Sequence, residues 1–239
     1  MKRKTGPFIV IAVLLIALSV GFLVYTGIYY HADALAIAAL ASDEQVAVSQ
    51  TSYGWYFDSP SEDRALVFYP GAKVEETAYA PFLHALAARG IDVCLVKMPF
   101  RLAILGINSA ESVIKGHDYA HWYIGGHSMG GAAAAIYAAN HAGQIEGLIL
   151  CAAYPTKALP ADMTVISLYG SEDKVITLSN IEKGRSFVSS PSYVEYVING
   201  GNHAQFGNYG TQRGDGQASL SAQDQQTEAI DVILKEALR

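Results

Sequence analysis

The sequence is poor in cysteine and in charged side chains. Its 239 residues include two cysteines, Cys94 and Cys151, which excludes a disulfide-stapled scaffold and a cysteine-rich zinc site. Charged residues make up 16% of the chain and hydrophobic residues 51%, and the mean hydropathy is +0.20. This composition excludes intrinsic disorder and collagen-like repeats. The hydrophobic fraction and the mean hydropathy are also high for a soluble protein, which indicates that part of the chain contacts lipid.

Positive charge is the scarcer sign. The chain has 16 Lys and Arg against 22 Asp and Glu, for a net charge of −6. Three of the cations, Lys2, Arg3 and Lys4, stand at the N-terminus, which leaves 13 cations against 22 anions in the rest of the chain. An acidic body lacks the basic patch that nucleic-acid binding requires, so no nucleic-acid partner is expected.

A long segment near the N-terminus lacks charge altogether, because no Asp, Glu, Lys or Arg occurs from Thr5 to Ala32. About 20 apolar residues in a helix cross the hydrocarbon core of a bilayer. The cations at positions 2–4 precede this segment, so the positive-inside rule predicts a cytoplasmic N-terminus and a body on the extracytoplasmic side. Tyr25, Tyr29 and Tyr30 fall where an outer aromatic belt would lie.

A cleaved signal peptide is the alternative interpretation of this segment, with cleavage after Ala36 or Ala41 and secretion of the body. The apolar run is longer than the usual signal-peptide core of about 7–15 residues, which favours a retained signal anchor. The chain then divides into residues 1–31 (a cytoplasmic stub and transmembrane signal anchor), residues 32–45 (a linker) and residues 46–239 (one domain).

The body alternates between strand-like and helix-like segments, which predicts an α/β fold with a mostly parallel central sheet covered by helices on both faces. The apolar, strand-like runs are Ala65–Tyr69, Asp92–Lys97, Trp122–Gly125, Ile145–Ala152, Thr164–Tyr169 and Tyr193–Ile198. The helix-like segments are Thr77–Arg89, Ile104–Lys115, Met129–Asn140, Leu178–Val188 and Ala222–Leu238. Residues 46–57 predict one or two antiparallel strands ahead of the parallel set. Both cysteines fall in buried strand-like runs, where reduced thiols are expected.

One motif in the body is typical of nucleophilic catalysis. Residues 126–130 read G-H-S-M-G and match G-x-S-x-G, between the strand-like run Trp122–Gly125 and the helix-like segment Gly131–Asn140. In that context the serine lies on a strained strand-to-helix turn, where small neighbours let the backbones approach closely. The sequence therefore predicts Ser128 as a nucleophile at a helix N-terminus, where the helix dipole favours a developing negative charge.

A serine nucleophile needs a histidine base and an acid that orients it. Asp173 follows the strand-like run 164–169, with the adjacent Glu172 as its rival for the acid. His203 follows the next strand-like run and is the only one of seven histidines after Asp173. His127, which directly precedes the serine, is interpreted as lining the turn rather than acting as the base. The carboxyl ends of parallel strands meet at one edge of a sheet, so the three groups are expected to lie together.

These residues, in this chain order, resemble the α/β-hydrolase superfamily over about residues 46–239. The resemblance is closest to its small lidless serine esterases and dienelactone-hydrolase-like members. Dienelactone hydrolases use a cysteine and haloalkane dehalogenases an aspartate as the nucleophile, so Ser128 argues against both chemistries. The short connection Tyr154–Asp162 lacks room for the helices of a lid and favours an open site.

The resemblance implies a catalytic triad of Ser128, Asp173 and His203. It also implies an oxyanion hole made by the N–H of Met129 and by a second N–H from the loop at residues 69–73, assigned to Ala72. Many members have His-Gly where this loop has Pro-Gly.

The implied function is hydrolysis of a carboxylic ester or related acyl bond in a small-molecule substrate, through an acyl-enzyme and without a metal or organic cofactor. A thioesterase, acyltransferase or peptidase could use the same triad, and a non-catalytic binding protein could keep the same fold. The long glycine-rich stretch Phe206–Ser221 is left as either a pocket wall or a loose connector.

Overall fold

An exposed apolar helix begins the structure. The computed structural model describes residues 6–60 and 63–237, so the cations Lys2, Arg3 and Lys4 lie outside the described residues. Helix α1 spans Gly6–Gly27, and its stretch Ile9–Gly27 has a mean hydropathy of 2.7 with 6% of it buried. Among the described helices it alone is long and apolar enough to cross a membrane, a property that anchors share with signal sequences.

Eight strands form a single sheet within the described part of the chain. They are Ala47–Gln50 (β1), Gly54–Asp58 (β2), Arg64–Tyr69 (β3), Asp92–Val96 (β4), His121–His127 (β5), Gly147–Cys151 (β6), Thr164–Gly170 (β7) and Tyr193–Ile198 (β8). Their order is β1-β2-β4-β3-β5-β6-β7-β8. Strands β3 to β8 are parallel, whereas β1 and β2 pair antiparallel with each other and β2 with β4. The predicted, mostly parallel sheet is confirmed.

Helices cover both faces of the sheet, as predicted. They are Ala34–Ala38 (α2), Ala80–Ala87 (α3), Ser109–Lys115 (α4), Met129–Asn140 (α5), Leu178–Arg185 (α6) and Ala222–Ala237 (α7). The central strand β3 shows why both faces are covered, because its side chains are apolar on both sides. Leu66 and Phe68 join the apolar side chains of α3 and α7, whereas Ala65 and Val67 join those of α4 and α5.

Two helices begin later than the sequence predicts. The segment predicted as Thr77–Arg89 begins with a 3₁₀ turn over Glu76–Tyr79, and only Ala80–Ala87 is α-helical. The segment predicted as Ile104–Lys115 has a separate 3₁₀ turn at Ala103–Leu105 before α4 begins. Apolar spacing does not distinguish a 3₁₀ turn from the first turn of an α-helix, so these boundaries depend on tertiary packing.

The two cysteines are buried, unpaired thiols. Cys94 lies on β4 and Cys151 on β6, with β3 and β5 between these strands. Three steps of about 4.8 Å between neighbouring strands exceed the Cα separation of about 7 Å that a disulfide tolerates. Burial raises the pKa of the Cys94 thiol to about 12 and also raises that of Cys151, so neither thiol is a reactive group.

The segment that the sequence presents as a linker is ordered against the body. It contains helix α2, which the side chain of Asp33 caps by accepting a hydrogen bond from Ala36 N–H at 2.8 Å. The Asp33 N–H donates to the carbonyl of Asn208, and Ala36 is fully buried. Just before this segment, Tyr30 forms a β-bridge with Val74. The C-terminal end of α1 is therefore attached to the body within a few residues.

Candidate active site

Ser128 lies on a strained turn between β5 and α5. Its backbone has φ 54° and ψ −122°, which is a costly region for a residue with a side chain, on the order of 1–3 kcal/mol. Two hydrogen bonds hold the turn, from Ser128 N–H to the Cys151 carbonyl at 2.9 Å and from Ala132 N–H to the Ser128 carbonyl at 3.1 Å. The residue is partly exposed, so its hydroxyl is accessible in a conformation that the surroundings enforce.

The glycines around Ser128 allow backbones to approach more closely than a side chain permits. A Cβ at Gly126 or at Gly130 would lie 2.5 or 2.1 Å from the carbonyl oxygen of Tyr69. A Cβ at Gly131 would lie 2.5 Å from the Cβ of Ala153. The turn is therefore packed against β3 and against the residues after β6, which keeps the serine at the carboxyl edge of the sheet.

Asp173 and His203 form a buried pair at the same edge. Oδ2 of Asp173 lies 2.8 Å from Nδ1 of His203, and their side chains are 2% and 0% exposed. The other carboxylate oxygen, Oδ1, accepts hydrogen bonds from the N–H groups of Val175 and Ile176 at 2.8 and 3.0 Å. Each oxygen thus has a separate partner, which fixes the carboxylate and orients the imidazole.

Glu172, the alternative acid, is engaged elsewhere. Its carboxylate accepts a hydrogen bond from the Ser171 hydroxyl at 3.2 Å, and its N–H donates to the Gly201 carbonyl at 2.8 Å. The structure therefore brings Asp173, and not Glu172, to His203.

The second ring nitrogen of His203, Nε2, is buried and has no hydrogen-bond partner among the described residues, Ser128 included. The His203 ring packs on the ring of His127, the residue before the serine, with 4.6 Å between centroids. Hydrogen bonds between a nucleophile and its base are often long without substrate and shorten in the reacting complex. The arrangement leaves Nε2 as the nitrogen available to exchange a proton.

His127 links the base to the loop after β3. Its Nδ1 lies 2.8 Å from the hydroxyl of Tyr79, and that oxygen accepts a hydrogen bond from Gly71 N–H at 2.9 Å. Because Gly71 N–H supplies one hydrogen to that oxygen, the tyrosine O–H is free to donate to Nδ1. Burial and the nearby His203 hold the pKa of His127 well below its ordinary value, so the ring is neutral. Sequence reasoning missed Tyr79, since one tyrosine in a helix-like segment carries no distinguishing signal.

The predicted oxyanion donors are the backbone N–H groups of Met129 and Ala72. Met129 is the first residue of α5, and the first N–H groups of a helix have no partner within it. In the loop after β3, Pro70 has no N–H, Gly71 donates to Tyr79, and Lys73 donates to the Arg101 carbonyl at 2.9 Å. The N–H of Ala72 is therefore the remaining donor of that loop.

The long stretch Phe206–Ser221 braces the acid and the base, which sequence reasoning did not foresee. The carboxylate of Asp215 accepts hydrogen bonds from the N–H groups of His203, Ala204 and Lys174 at 3.2, 2.8 and 3.4 Å. It thereby joins the loop that carries the base to the loop that carries the acid. The only sequence signal is one acid between two glycines, Gly214 and Gly216, in a stretch that otherwise looks like a connector.

The connection between β6 and β7, residues 152–163, contains no helix. A cavity of about 580 Å³ opens beside Asp173 and is lined by apolar residues that include Ile176 and Ile181, but Ser128 does not line it. This cavity is therefore separate from the surface at Ser128. No group of three or more metal-ligating side chains occurs in the described parts of the chain.

Comparisons with known proteins agree with this architecture. The model of the alpha/beta hydrolase family matches residues 65–227, which is more than half of the chain. A search of curated proteins finds no match.

Solved structures share the fold at low sequence identity. The esterase Est1E from Butyrivibrio proteoclasticus is 12% identical with a TM-score of 0.57, and the match covers 82% of this chain and all of that one. Esterase 2 from Thermogutta terrifontis, in a structure phosphoramylated by tabun, is 14% identical with a TM-score of 0.55, covering 82% and 96%. CarC, a serine hydrolase involved in carbazole degradation, is 12% identical with a TM-score of 0.59, covering 81% and 100%. With the strand order and the family match, these likenesses confirm the resemblance seen in the sequence: the chain belongs to the alpha/beta hydrolase family.

Proposed function

We propose that this hydrolase is a serine esterase that cleaves a carboxylic ester or related acyl bond through an acyl-enzyme intermediate. One observation carries the proposal. A partly exposed serine on a strained turn shares the carboxyl edge of the sheet with a buried aspartate–histidine pair. Esterases and a serine hydrolase among the structural neighbours are consistent with this chemistry.

In the acylation step, Ser128 Oγ attacks the carbonyl carbon of the substrate while Nε2 of His203 accepts the serine proton. Asp173 accepts the hydrogen bond from Nδ1–H, which keeps Nε2 unprotonated beforehand and stabilises the imidazolium that forms. His203 then donates the proton to the leaving alcohol. Water, activated by the same imidazole, attacks the acyl-enzyme, and the acid product leaves with Ser128 regenerated.

The negative charge of the tetrahedral intermediate requires donors that are in place before the reaction. The N–H groups of Met129 and Ala72 supply them, and the N-terminus of α5 adds the positive end of its dipole. Each such donor is worth about 10²–10³ in rate. No step of this mechanism requires a metal or an organic cofactor.

Labelling with a fluorophosphonate probe tests this proposal. The wild-type protein should be labelled covalently, Ser128→Ala should not, and Ser112→Ala, at an exposed serine on α4, should react like the wild type. The tabun adduct of the Thermogutta terrifontis esterase 2 is a precedent for such a reaction in this fold. Labelling that persists in Ser128→Ala would place the nucleophile elsewhere, and a wild-type protein that never reacts would favour a non-catalytic binding protein.

Turnover assays separate the reactions that share this triad. We expect hydrolysis of oxygen esters to exceed that of matched thioesters and peptides. A higher rate with thioesters, or acyl transfer to an added alcohol in place of hydrolysis, would reassign the activity to a thioesterase or an acyltransferase.

For the placement of the protein, we propose that residues 1–31 form a retained signal anchor with a cytoplasmic N-terminus, followed by the linker 32–45 and the catalytic domain 46–239 on the extracytoplasmic side. The apolar stretch of α1 and its attachment to the body support this arrangement. The full chain should stay with membranes after an alkaline-carbonate wash, and its domain should be cleaved by protease added from outside. A mature N-terminus after Ala36 or Ala41 in the soluble fraction would establish secretion instead.

A further inference from the structure

An exposed apolar patch lies on the turns that follow β4. We define the patch as Phe100, Ile104 and Leu105, which are 50%, 47% and 53% exposed. Single exposed apolar side chains are ordinary on soluble proteins, but three of them within six residues form a contiguous surface of the kind that contacts another apolar body.

The patch is continuous with the C-terminal end of α1. The ring of Phe22 on α1 packs edge-on against the ring of Phe100, with 5.0 Å between centroids. Thr26, one turn further along the helix, is 4% exposed in an otherwise exposed helix. The side of the body that carries the patch therefore meets the helix where a membrane-spanning segment would leave the bilayer.

Two cations and two tyrosines lie next to this junction between the patch and α1. The Arg101 guanidinium stands 3.5 Å from the ring centroid of Tyr29, and the Lys73 ammonium stands 4.0 Å from that of Tyr25. Neither cation forms an ion pair with a carboxylate among the described residues. Tyrosine with unpaired cations, next to exposed apolar side chains, is the composition of a surface that rests among anionic lipid headgroups.

Backbone strain is concentrated at this junction. Phe100, Arg101 and Lys73 have φ values of 51°, 58° and 58°, which non-glycine residues seldom adopt. The Lys73 N–H donates to the Arg101 carbonyl at 2.9 Å and ties the strained segments together. Lys73 directly follows Ala72, so the loop with the second oxyanion donor is bonded to the segment that carries the patch.

We propose that the patch lies in the headgroup and upper acyl region of the bilayer that α1 spans, and that the enzyme takes its acyl ester from that bilayer. The substrate class is then a lipid or another ester that partitions into membranes. The site reaches it without a lid, since its oxyanion loop adjoins the membrane surface. The substrate part rests on the esterase function and the retained anchor proposed above, whereas the membrane contact of the patch can be measured without any activity.

Depth-dependent quenching tests the contact. The full chain is placed in vesicles of phosphatidylcholine and phosphatidylglycerol, with Leu105→Cys or Val197→Cys labelled by an environment-sensitive fluorophore. Cys94 and Cys151 are buried, so the introduced thiol is the accessible one, and Val197 is a matched control that is 44% exposed on β8, at the far edge of the sheet. Lipids with a shallow doxyl quencher should quench the label at position 105 several-fold more than the label at position 197. Equal quenching of the two labels would overturn the proposal. A label at position 105 that enters an apolar environment only at high protein density would also overturn it, because a second copy of the chain would then cover the patch.

Kinetics on two substrates test the delivery of substrate. The double variant Ile104→Ser/Leu105→Ser keeps α1 and the catalytic groups, and Val197→Ser is the control. Hydrolysis of a long-chain fluorogenic ester held in the vesicles should fall about tenfold in the double variant, because membrane contact scales with the apolar area buried in the interface. Hydrolysis of a water-soluble acetate ester should stay within about twofold.

The outcomes separate the two proposals. Equal rates for the double variant and the control on the vesicle ester would refute delivery from the membrane. Activity of Ser128→Ala equal to the wild type on both substrates would refute the esterase mechanism, while the quenching result would still decide the membrane contact.

Discussion

The turn that carries Ser128 and the pair formed by Asp173 and His203 lie at the same edge of the sheet but are built differently. The strain of the serine turn is held by close backbone contacts with the neighbouring strand β3 and with the residues at the end of β6. The acid–base pair depends instead on a third loop outside the sheet, because Asp215 bonds both of the loops that hold the pair. A nucleophile needs one fixed backbone geometry, whereas a base and its acid need two loops held at a fixed distance from each other.

This contrast explains why a motif describes one half of the site and not the other. The glycines at 126, 130 and 131 allow the close approach of backbones that is typical of this kind of strand-to-helix turn. A hydrogen-bonding brace such as Asp215 can come from any loop that reaches the pair. Four substitutions, three of them paired with a control, test this difference and are ordered from the largest expected effect to the smallest.

Asp173→Asn should lower kcat by up to about 10⁴-fold with the fold intact. If the amide oxygen keeps the hydrogen bonds from Val175 and Ile176, the amide N–H₂ faces Nδ1 of His203. The imidazole then carries its proton on Nε2 and cannot accept the proton of Ser128. Steady-state kinetics on a soluble ester, with thermal unfolding as a check of the fold, measures the effect.

Glu172→Gln is the matched control, because among the described residues its carboxylate bonds only the neighbouring Ser171 hydroxyl. Its activity should stay within about threefold of the wild type, as for a surface change away from the chemistry. A larger loss in Glu172→Gln than in Asp173→Asn would show that the acid is misassigned.

Gly131→Ala tests the steric half of the comparison. Helix propensity alone predicts that alanine in α5 stabilises the protein by up to about 1 kcal/mol. The Cβ, however, would lie 2.5 Å from the Cβ of Ala153 and 2.7 Å from the Gly126 carbonyl oxygen, so we expect a loss on the order of 1–3 kcal/mol in the free energy of unfolding.

Gly116→Ala, at the end of α4, is the control, since its Cβ would meet neighbours no closer than 3.4 Å. Denaturant unfolding in detergent compares the two variants. Stabilisation by Gly131→Ala would mean that the serine turn can accommodate a Cβ at position 131, contrary to these short distances.

Asp215→Asn tests the brace. An asparagine has one acceptor oxygen where the carboxylate uses two, so either the N–H of Ala204 or those of His203 and Lys174 lose their partner. We expect kcat to fall about tenfold with KM nearly unchanged, because a positioning residue acts on the geometry of the base rather than on substrate binding.

Asp231→Asn removes an exposed carboxylate that pairs with Arg89 and should leave kcat unchanged. Equal kcat in Asp215→Asn and the wild type, with only the melting temperature lowered, would show that Asp215 stabilises the fold without positioning His203.

His127→Asn should change how stability depends on pH. Burial lowers the pKa of His127 in the folded protein, while the unfolded chain binds a proton there near pH 6.5. The stability contributed by the neutral, buried ring is therefore present above about pH 6.5 and is lost as the pH falls, by at most about 1.4 kcal/mol per pH unit. The free energy of unfolding between pH 7.5 and 5.5 should decline less steeply in the variant. Parallel declines would mean that His127 is protonated in the folded state.

The sequence by itself determined the class of the fold and the half of the site that rests on local geometry. Short runs that are apolar on successive residues and end at turn residues favour strands buried on both faces, and these predicted the parallel sheet, the helices beside it and the serine turn between β5 and α5. The position of His203 followed as well, because parallel strands bring their carboxyl ends to one edge.

Only the tertiary structure decided which carboxylate orients the base, what Phe206–Ser221 does and where the C-terminal end of α1 is attached. Asp173 and Glu172 are adjacent and chemically alike, and only folding directs one to His203 and the other to Ser171. The brace at Asp215 joins three separate loops, and the contact between Phe22 and Phe100 joins residues far apart in the chain. Such contacts leave no periodic trace in a sequence, because they depend on the distance between elements and not on the spacing within one.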